Sequence, residues 1–252
     1  MYKILAHTLF IAKQVISLPT CHSSNDTARQ LAHKADTLEG AVVICQDQTG
    51  GKGQRGNTWE AVGGKNLTLS VILRPRFLNV KQQFYLNMIA SLAVKEAINS
   101  FAPAVDLRVK WPNDVLLNQK KISGILIENS INGHALETAV IGIGINVNQT
   151  DFSAPKATSM ALATGSESDL NQVYGQLLAN LENQYLRLKA GRFAEIKADY
   201  LKHLFGFGEN RRYLAEYRFE GEIEDVTYEG RLVIRGPQGR QTYDLKEIEF
   251  IY

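Results

Sequence analysis

Apolar residues along this chain alternate between short β-type runs and longer stretches with helical spacing. Ser23-Ser24-Asn25-Asp26 offers several N-cap residues before Thr27–Ala35, which predicts a helix ending near Gly40. Ala41–Cys45 and Leu67–Leu73 read as strands on either side of a glycine-rich stretch. From Gln82 to Phe101, Phe84, Leu86, Ile89, Leu92, Ala93 and Ala97 recur at helical spacing, predicting a long core helix. A strand-rich block follows over Leu107–Lys110, Asp114–Leu117, Ile122–Glu128 and Thr138–Val147, with turns at Asn118-Gln119 and Ile131-Asn132-Gly133. The pattern is helical again from Asp169 to about Leu204, and Gly206-Phe207-Gly208 ends it. The last stretch, about 40 residues, alternates short β runs with glycine turns and predicts a small all-β barrel. A boundary near 205/206 therefore separates residues 1–205 from residues 206–252.

Composition narrows this picture only a little. At 252 residues, 44% hydrophobic and 21% charged, the chain fits one substantial domain plus a small one. A net charge of +2 gives no argument for a nucleic-acid surface. Two cysteines, Cys21 and Cys45, cannot form a disulfide framework, and no C-x-x-C or H-E-x-x-H spacing marks a metal site. Lys3 followed by Ile4–Ala12 faintly resembles a signal peptide, but His7 and Lys13 interrupt it. No run approaches the roughly 20 apolar residues that span a bilayer, so the cytoplasm is the expected compartment.

The glycine-rich stretch Gly51-Lys52-Gly53-Gln54-Arg55-Gly56 satisfies G-x-G-x-x-G. That dinucleotide pattern works only where a helix opens at the glycines and faces its N-terminus to a pyrophosphate. Here Asn57–Gly64 lacks helical periodicity, a strand follows, and the expected acidic residue is replaced by Arg74-Pro75-Arg76. These departures argue against a Rossmann site, and no P-loop pattern exists. What remains is a glycine loop with Lys52, Arg55 and Trp59, either a flexible hairpin or a flap offering backbone N–H groups and cations to a phosphate.

Two further stretches carry chemistry. Lys110 ends a β run before Trp111-Pro112-Asn113-Asp114, and alternation puts Arg108 on its face. An isolated lysine there would simply be solvated; beside an aromatic plane and a rigid proline it can stabilise charge growing on a carboxylate or phosphoryl oxygen. Gly142-Ile143-Gly144-Ile145-Asn146 places glycines inside a strand, which predicts a close approach to the backbone or a β-bulge. The five histidines stand in unrelated contexts and support no catalytic triad.

Taken together, these motifs resemble the biotin–protein ligases, over nearly the whole chain from about Ser23 to Tyr252. That family's pattern has a Ser-Thr-Asn run, a Gln ahead of a G-[RK]-G-R-x-G-x-x-W loop, K-W-P-N-D, K-[LI]-x-G-I-L-[IV]-E and G-I-G-I-N. The matching residues here are Ser23-Ser24-Asn25, Gln48, Gly51–Trp59, Lys110–Asp114, Lys121–Glu128 and Gly142–Asn146. The resemblance implies an α+β fold, a central mixed β-sheet flanked by helices and similar to class II synthetases, plus a C-terminal SH3-like β-barrel. It implies an ATP-dependent ligase that makes biotinyl-5′-AMP and passes biotin to a lysine of a carboxylase's carrier domain, with Mg2+ accompanying ATP. Carried over residue by residue, Ser23, Ser24, Asn25, Gln48, Lys52, Gly53, Gln54 and Lys110 would meet biotin. Lys52, Gln54, Arg55, Trp59, Asn113 and Asn146 would meet ATP or the adenylate, with Trp59 on adenine and Lys110 the catalytic cation. Glu247 is a candidate contact from the barrel. Monomer and homodimer both remain open, and the short segment before Ser23 leads to no expectation of DNA binding.

Two departures stand out. Ser24 replaces the usual Thr and keeps the hydroxyl. Gln54 stands where the family has an arginine credited with holding the adenylate, so either Lys52 or Arg55 supplies that charge or the adenylate leaks. The competing readings are a lipoate–protein ligase, a non-catalytic biotin or adenylate sensor, and a plain nucleotide-binding module.

Overall fold

The computed structural model describes residues 2–103 and 105–251, and of Arg55 the backbone alone. A seven-stranded sheet is built from β1 (Val15–Cys21), β2 (Val42–Gln48), β3 (Leu67–Leu73), β4 (Leu107–Lys110), β5 (Asp114–Leu117), β6 (Lys120–Asn132) and β7 (Ala135–Ile145). Their order across the sheet is β1-β2-β3-β7-β6-β5-β4. Only β1 and β2 run parallel, so the sheet is mixed. The hairpin turn Asn118-Gln119 has positive φ at both residues, 47° and 64°, the backbone that matches the twist of a two-residue connection.

The two faces of the sheet are covered unequally. Helices α2 (Phe84–Phe101), α4 (Leu170–Lys189) and α5 (Phe193–Lys202) build the main core on one face. On the other face α1 (Ser24–Ala32) sits over β2, β3 and β7. It buries only a small cluster: Ala28 and Ala32 against Ala41, Val43, Ile72 and Val140. The rest of that face is therefore left as a floor. Where one helix was expected from Asp169 to Leu204, the chain breaks between α4 and α5 at Gly191, whose φ of 76° no helical residue adopts. A short helix α3 (Met160–Thr164) precedes them.

Strand β1 was not foreseen. It is an edge strand with Pro19 inside it and a half-buried pattern, so neither alternation nor a continuous apolar run marks it. The segment before it is tied down by buried Glu182 of α4. Its carboxylate accepts the Leu9, Phe10 and Ile11 N–H groups at 2.6, 2.7 and 2.8 Å. Those bonds satisfy backbone donors that an irregular segment would otherwise leave unpaired.

Strands β8 (Asn210–Leu214), β9 (Arg218–Val226), β10 (Leu232–Gly236), β11 (Gly239–Tyr243) and β12 (Glu249–Ile251) form a second, antiparallel sheet in the order β11-β10-β9-β8-β12. The segment leading into this small β domain is fastened to the sheet edge at β4, and the domain itself is tied down just beyond it. Val109 N donates to His203 O at 2.9 Å and Phe205 N to Val109 O at 2.7 Å. Trp111 Nε1 donates to Gly230 O at 2.8 Å, and Lys197 pairs with Asp225 at 2.8 Å. Among the described residues no helix is long and apolar enough to cross a membrane, and both cysteines are free thiols.

Candidate active site

The β1–α1 junction supplies the first wall. Ser23 caps α1, its Oγ facing Asp26 N at 3.5 Å. Ser24 N donates to Gln48 Oε1 at 2.7 Å, which joins the helix start to the end of β2. Asn25 is held on three sides: Nδ2 donates to Leu126 O at 3.2 Å and Glu128 Oε2 at 2.9 Å, and Oδ1 lies 2.6 Å from Ser70 Oγ. Ser70 Oγ is also 2.8 Å from Ser24 Oγ. Buried polar groups so connected keep one geometry, because any other leaves a donor or acceptor unpaired.

The glycine stretch folds as a small hairpin with a 3-10 turn at Gln54–Gly56, not as a helix. Gly53 N donates to Asn57 O at 2.7 Å and Trp59 N to Gly51 O at 3.0 Å. Its end drops Trp59 onto the sheet. A Cβ on Gly144 would overlap the Trp59 indole, one on Gly124 would stand 3.1 Å from it, and one on Gly142 would overlap Asn25. The pairing of β3 with β7 runs unbroken from Leu67↔Ile145 to Leu73↔Ala139. Of the two expectations for these glycines, close approach is the one observed, and the groups that approach are the protein's own side chains. Trp59 Nε1 is buried without a hydrogen-bond partner. Lys121 Nζ lies 5.8 Å from the Trp59 ring centroid and 2.6 Å from Asp114 Oδ1.

Lys110 stands at the end of β4. Leu107 and Val109 are buried against the main core, whereas Arg108 and Lys110 share the opposite, half-exposed face, as alternation predicted. The Trp111-Pro112 peptide is cis. Asn113 locks the turn to β6, with Nδ2 donating to Ile125 O at 2.7 Å and Ile125 N donating back to Asn113 O at 2.9 Å. From the small domain, the Phe250 ring comes within 5.4 Å of Lys110 Nζ, inside the range of a cation–π attraction.

These parts enclose one cavity of about 450 Å3, within the usual range for small-molecule sites. Of the expected residues, Ser23, Ser24, Asn25, Gln48, Lys52, Gly53, Gln54, Trp59, Lys110 and Asn113 line it. Asn146 stands apart: it is buried behind the wall, with Nδ2 donating to Thr158 O at 3.0 Å and Oδ1 unpaired. The side chain of Arg55 lies outside the described residues. Glu247 faces its own turn, its Oε2 accepting Asp244 N at 2.6 Å; the small domain lines the cavity with Leu245, Lys246, Ile248, Glu249 and Phe250. Those residues and Lys121 were missed as site residues. Lys121 had a signal, standing three residues before Gly124 in the K-[LI]-x-G-I-L-[IV]-E motif. The contacts of residues 245–250 arise only when the small domain docks. Lys52, Lys110, Lys121 and Lys246 give the cavity four ammonium groups against the carboxylates of Asp114 and Glu249. Such a site suits an anion carrying a flat ring.

The mixed sheet flanked by helices, with its second antiparallel sheet, is the fold of the biotin protein ligases. The chain belongs to the biotin/lipoate A/B protein ligase family, whose model matches residues 18–146. It is 30% identical over 248 residues to the bifunctional ligase/repressor BirA of Bacillus spizizenii, covering 96% of this chain and 75% of that protein. It is 33% identical to the biotin--[acetyl-CoA-carboxylase] ligase of Paracoccus denitrificans, covering 90% of this chain and 97% of the relative. The biotin protein ligase of Aquifex aeolicus, solved in complex with biotin and ATP, superposes with a TM-score of 0.79 at 26% identity. That match spans 95% of this chain and 99% of the other.

Proposed function

We propose that this chain is an ATP-dependent biotin–protein ligase that acts on the carrier domain of a carboxylase. The observation that carries the reading is the single cavity in which a polar pocket under α1, an indole on a glycine shelf and Lys110 meet. In the first step a biotin carboxylate oxygen attacks the α-phosphorus of ATP. The bond from that phosphorus to the oxygen bridging to the β-phosphate breaks, and pyrophosphate leaves with the electron pair. Ser23, Ser24, Asn25 and Gln48 hold the biotin end. The Lys110 ammonium faces the carboxylate and α-phosphate and neutralises charge that would otherwise keep two anions apart.

In the second step the neutral amine of a carrier lysine attacks the acyl carbon. The carbon–oxygen bond to AMP breaks, an amide forms, and the proton passes to solvent. Lys52 and Gln54 of the flap cover the adenylate, with Arg55 beside them, and Trp59 offers its ring to adenine. Asn113 and Asn146 act by holding the walls, Asn113 through the Ile125 carbonyl at the cavity and Asn146 through the Thr158 carbonyl behind it. Mg2+ would arrive on the phosphates of ATP and would need few protein ligands; Asp114 and Glu249 are carboxylates lining the cavity that could supply them. Free thiols agree with a reducing cytoplasm.

Incubation with ATP, a biotin carrier domain and either biotin or lipoate tests the reading. One biotinyl mass increment on a single carrier lysine is expected; modification by lipoate alone would reassign the protein within its family.

A further inference from the structure

Lys246 is one of the few non-glycine residues with a left-handed backbone, φ 75°. It is the third residue of the turn closed by Glu247 N donating to Asp244 O at 3.1 Å, the place that such turns give to glycine. The turn is fixed on both sides: Asp244 N donates to Glu247 Oε2 at 2.6 Å and Leu245 N to Asp244 Oδ1 at 2.7 Å. A left-handed residue with a side chain costs steric energy, and strain of this kind concentrates where a site needs a side chain aimed. Here it sets a lysine on the cavity wall.

The other cavity lysines already face groups of the protein. Lys52 pairs with Asp26 at 2.7 Å, Lys121 with Asp114 at 2.6 Å, and Lys110 lies against the Phe250 ring. Lys246 makes no ion pair among the described residues, which leaves its charge for a ligand. Its position selects which part of the ligand. Helix α1 covers β2, β3 and β7, whereas the small domain joins the sheet at β4, the opposite edge. Displacement at the α-phosphorus puts the attacking and leaving oxygens roughly in line. With biotin entering from the α1 side, the departing phosphates point towards the small domain.

We infer that Lys246 binds the β- and γ-phosphates of ATP and serves adenylation alone, an inference that rests on the ligase reading above. Pyrophosphate is gone before the carrier lysine attacks, so transfer from biotinyl-5′-AMP should not need this residue.

The test compares Lys246→Gly with the full-length wild-type chain. Glycine suits the backbone, so Tm should hold or rise. The KM for ATP in biotin-dependent pyrophosphate exchange should rise about tenfold, in proportion to a lost charge-assisted bond. The KM for biotin and the rate of transfer from pre-formed biotinyl-5′-AMP should not move, and Lys246→Arg should keep the low KM. An unchanged KM for ATP overturns the inference. So does a slowed transfer step, which would place Lys246 against the carrier. Absence of exchange in the wild type would instead defeat the ligase reading.

Discussion

Gly144 shows how one missing methyl shapes this site. The indole of Trp59 occupies the space a Cβ would need, and Asn25 does the same above Gly142. Gly144→Ala should therefore push Trp59 off its shelf at a cost of about 1–3 kcal/mol, the range for overpacking. The expected readout is a lower Tm and a red-shifted indole emission, with Trp111 still buried; an unshifted emission would mean the shelf has room. The sequence made it legible that something approaches these glycines, because glycine inside a strand is otherwise unfavourable. It did not tell what, since Trp59 reaches them through a loop whose path is set by backbone bonds between residues 51 and 59. Asn146 marks the converse limit: the motif was legible, yet the sequence did not tell that its Nδ2 donates to Thr158 O behind the wall while its Oδ1 stays buried and unpaired.

At the scale of elements, the strongly patterned pieces were readable. Helix α2 follows its hydrophobic periodicity closely, strands β3 to β7 follow apolar or alternating runs, and the turn at Asn118-Gln119 is marked by Asn118, which tolerates positive φ. Strand β1 and the break at Gly191 were not, because an edge position and a single backbone angle leave no periodic trace. Strand β12 matters more than its three residues imply, since it carries Phe250 to Lys110. Phe250 also packs against Tyr213 with centroids 5.4 Å apart, so truncation would disturb the domain. Phe250→Leu keeps apolar bulk and removes the ring face. Adenylation should slow about twofold to fivefold, matching a cation–π term of roughly 0.5–1 kcal/mol, and Phe250→Tyr should restore it. Equal rates for Leu and Tyr would reduce Phe250 to packing.

For the whole molecule, the junction between sheet and small domain carries a pH dependence. Burial lowers the pKa of His203 below its ordinary 6.5, and Lys95, Lys202 and Arg108 lower it further against the opposing pull of Asp199. The unfolded chain therefore takes up a proton first as pH falls through 6.5, so folding stability drops with pH in that window until His203 itself titrates. Lys95→Gln should raise the His203 pKa in an NMR titration and flatten the loss of stability below 6.5. An unmoved His203 would show that Lys95 has no part in setting it. His203 O also accepts Val109 N, next to Lys110, so the same window should touch activity. None of this was legible in the sequence, where the five histidines looked alike.

The central claim is that Lys110 is the cation at which biotin and ATP react. Biotin-dependent exchange of labelled pyrophosphate into ATP tests it most directly, comparing the wild type with Lys110→Ala. The account predicts exchange that requires biotin and falls by at least about a hundredfold in the variant, as loss of a charge-stabilising donor does elsewhere. Exchange persisting at the wild-type rate in folded Lys110→Ala would contradict it.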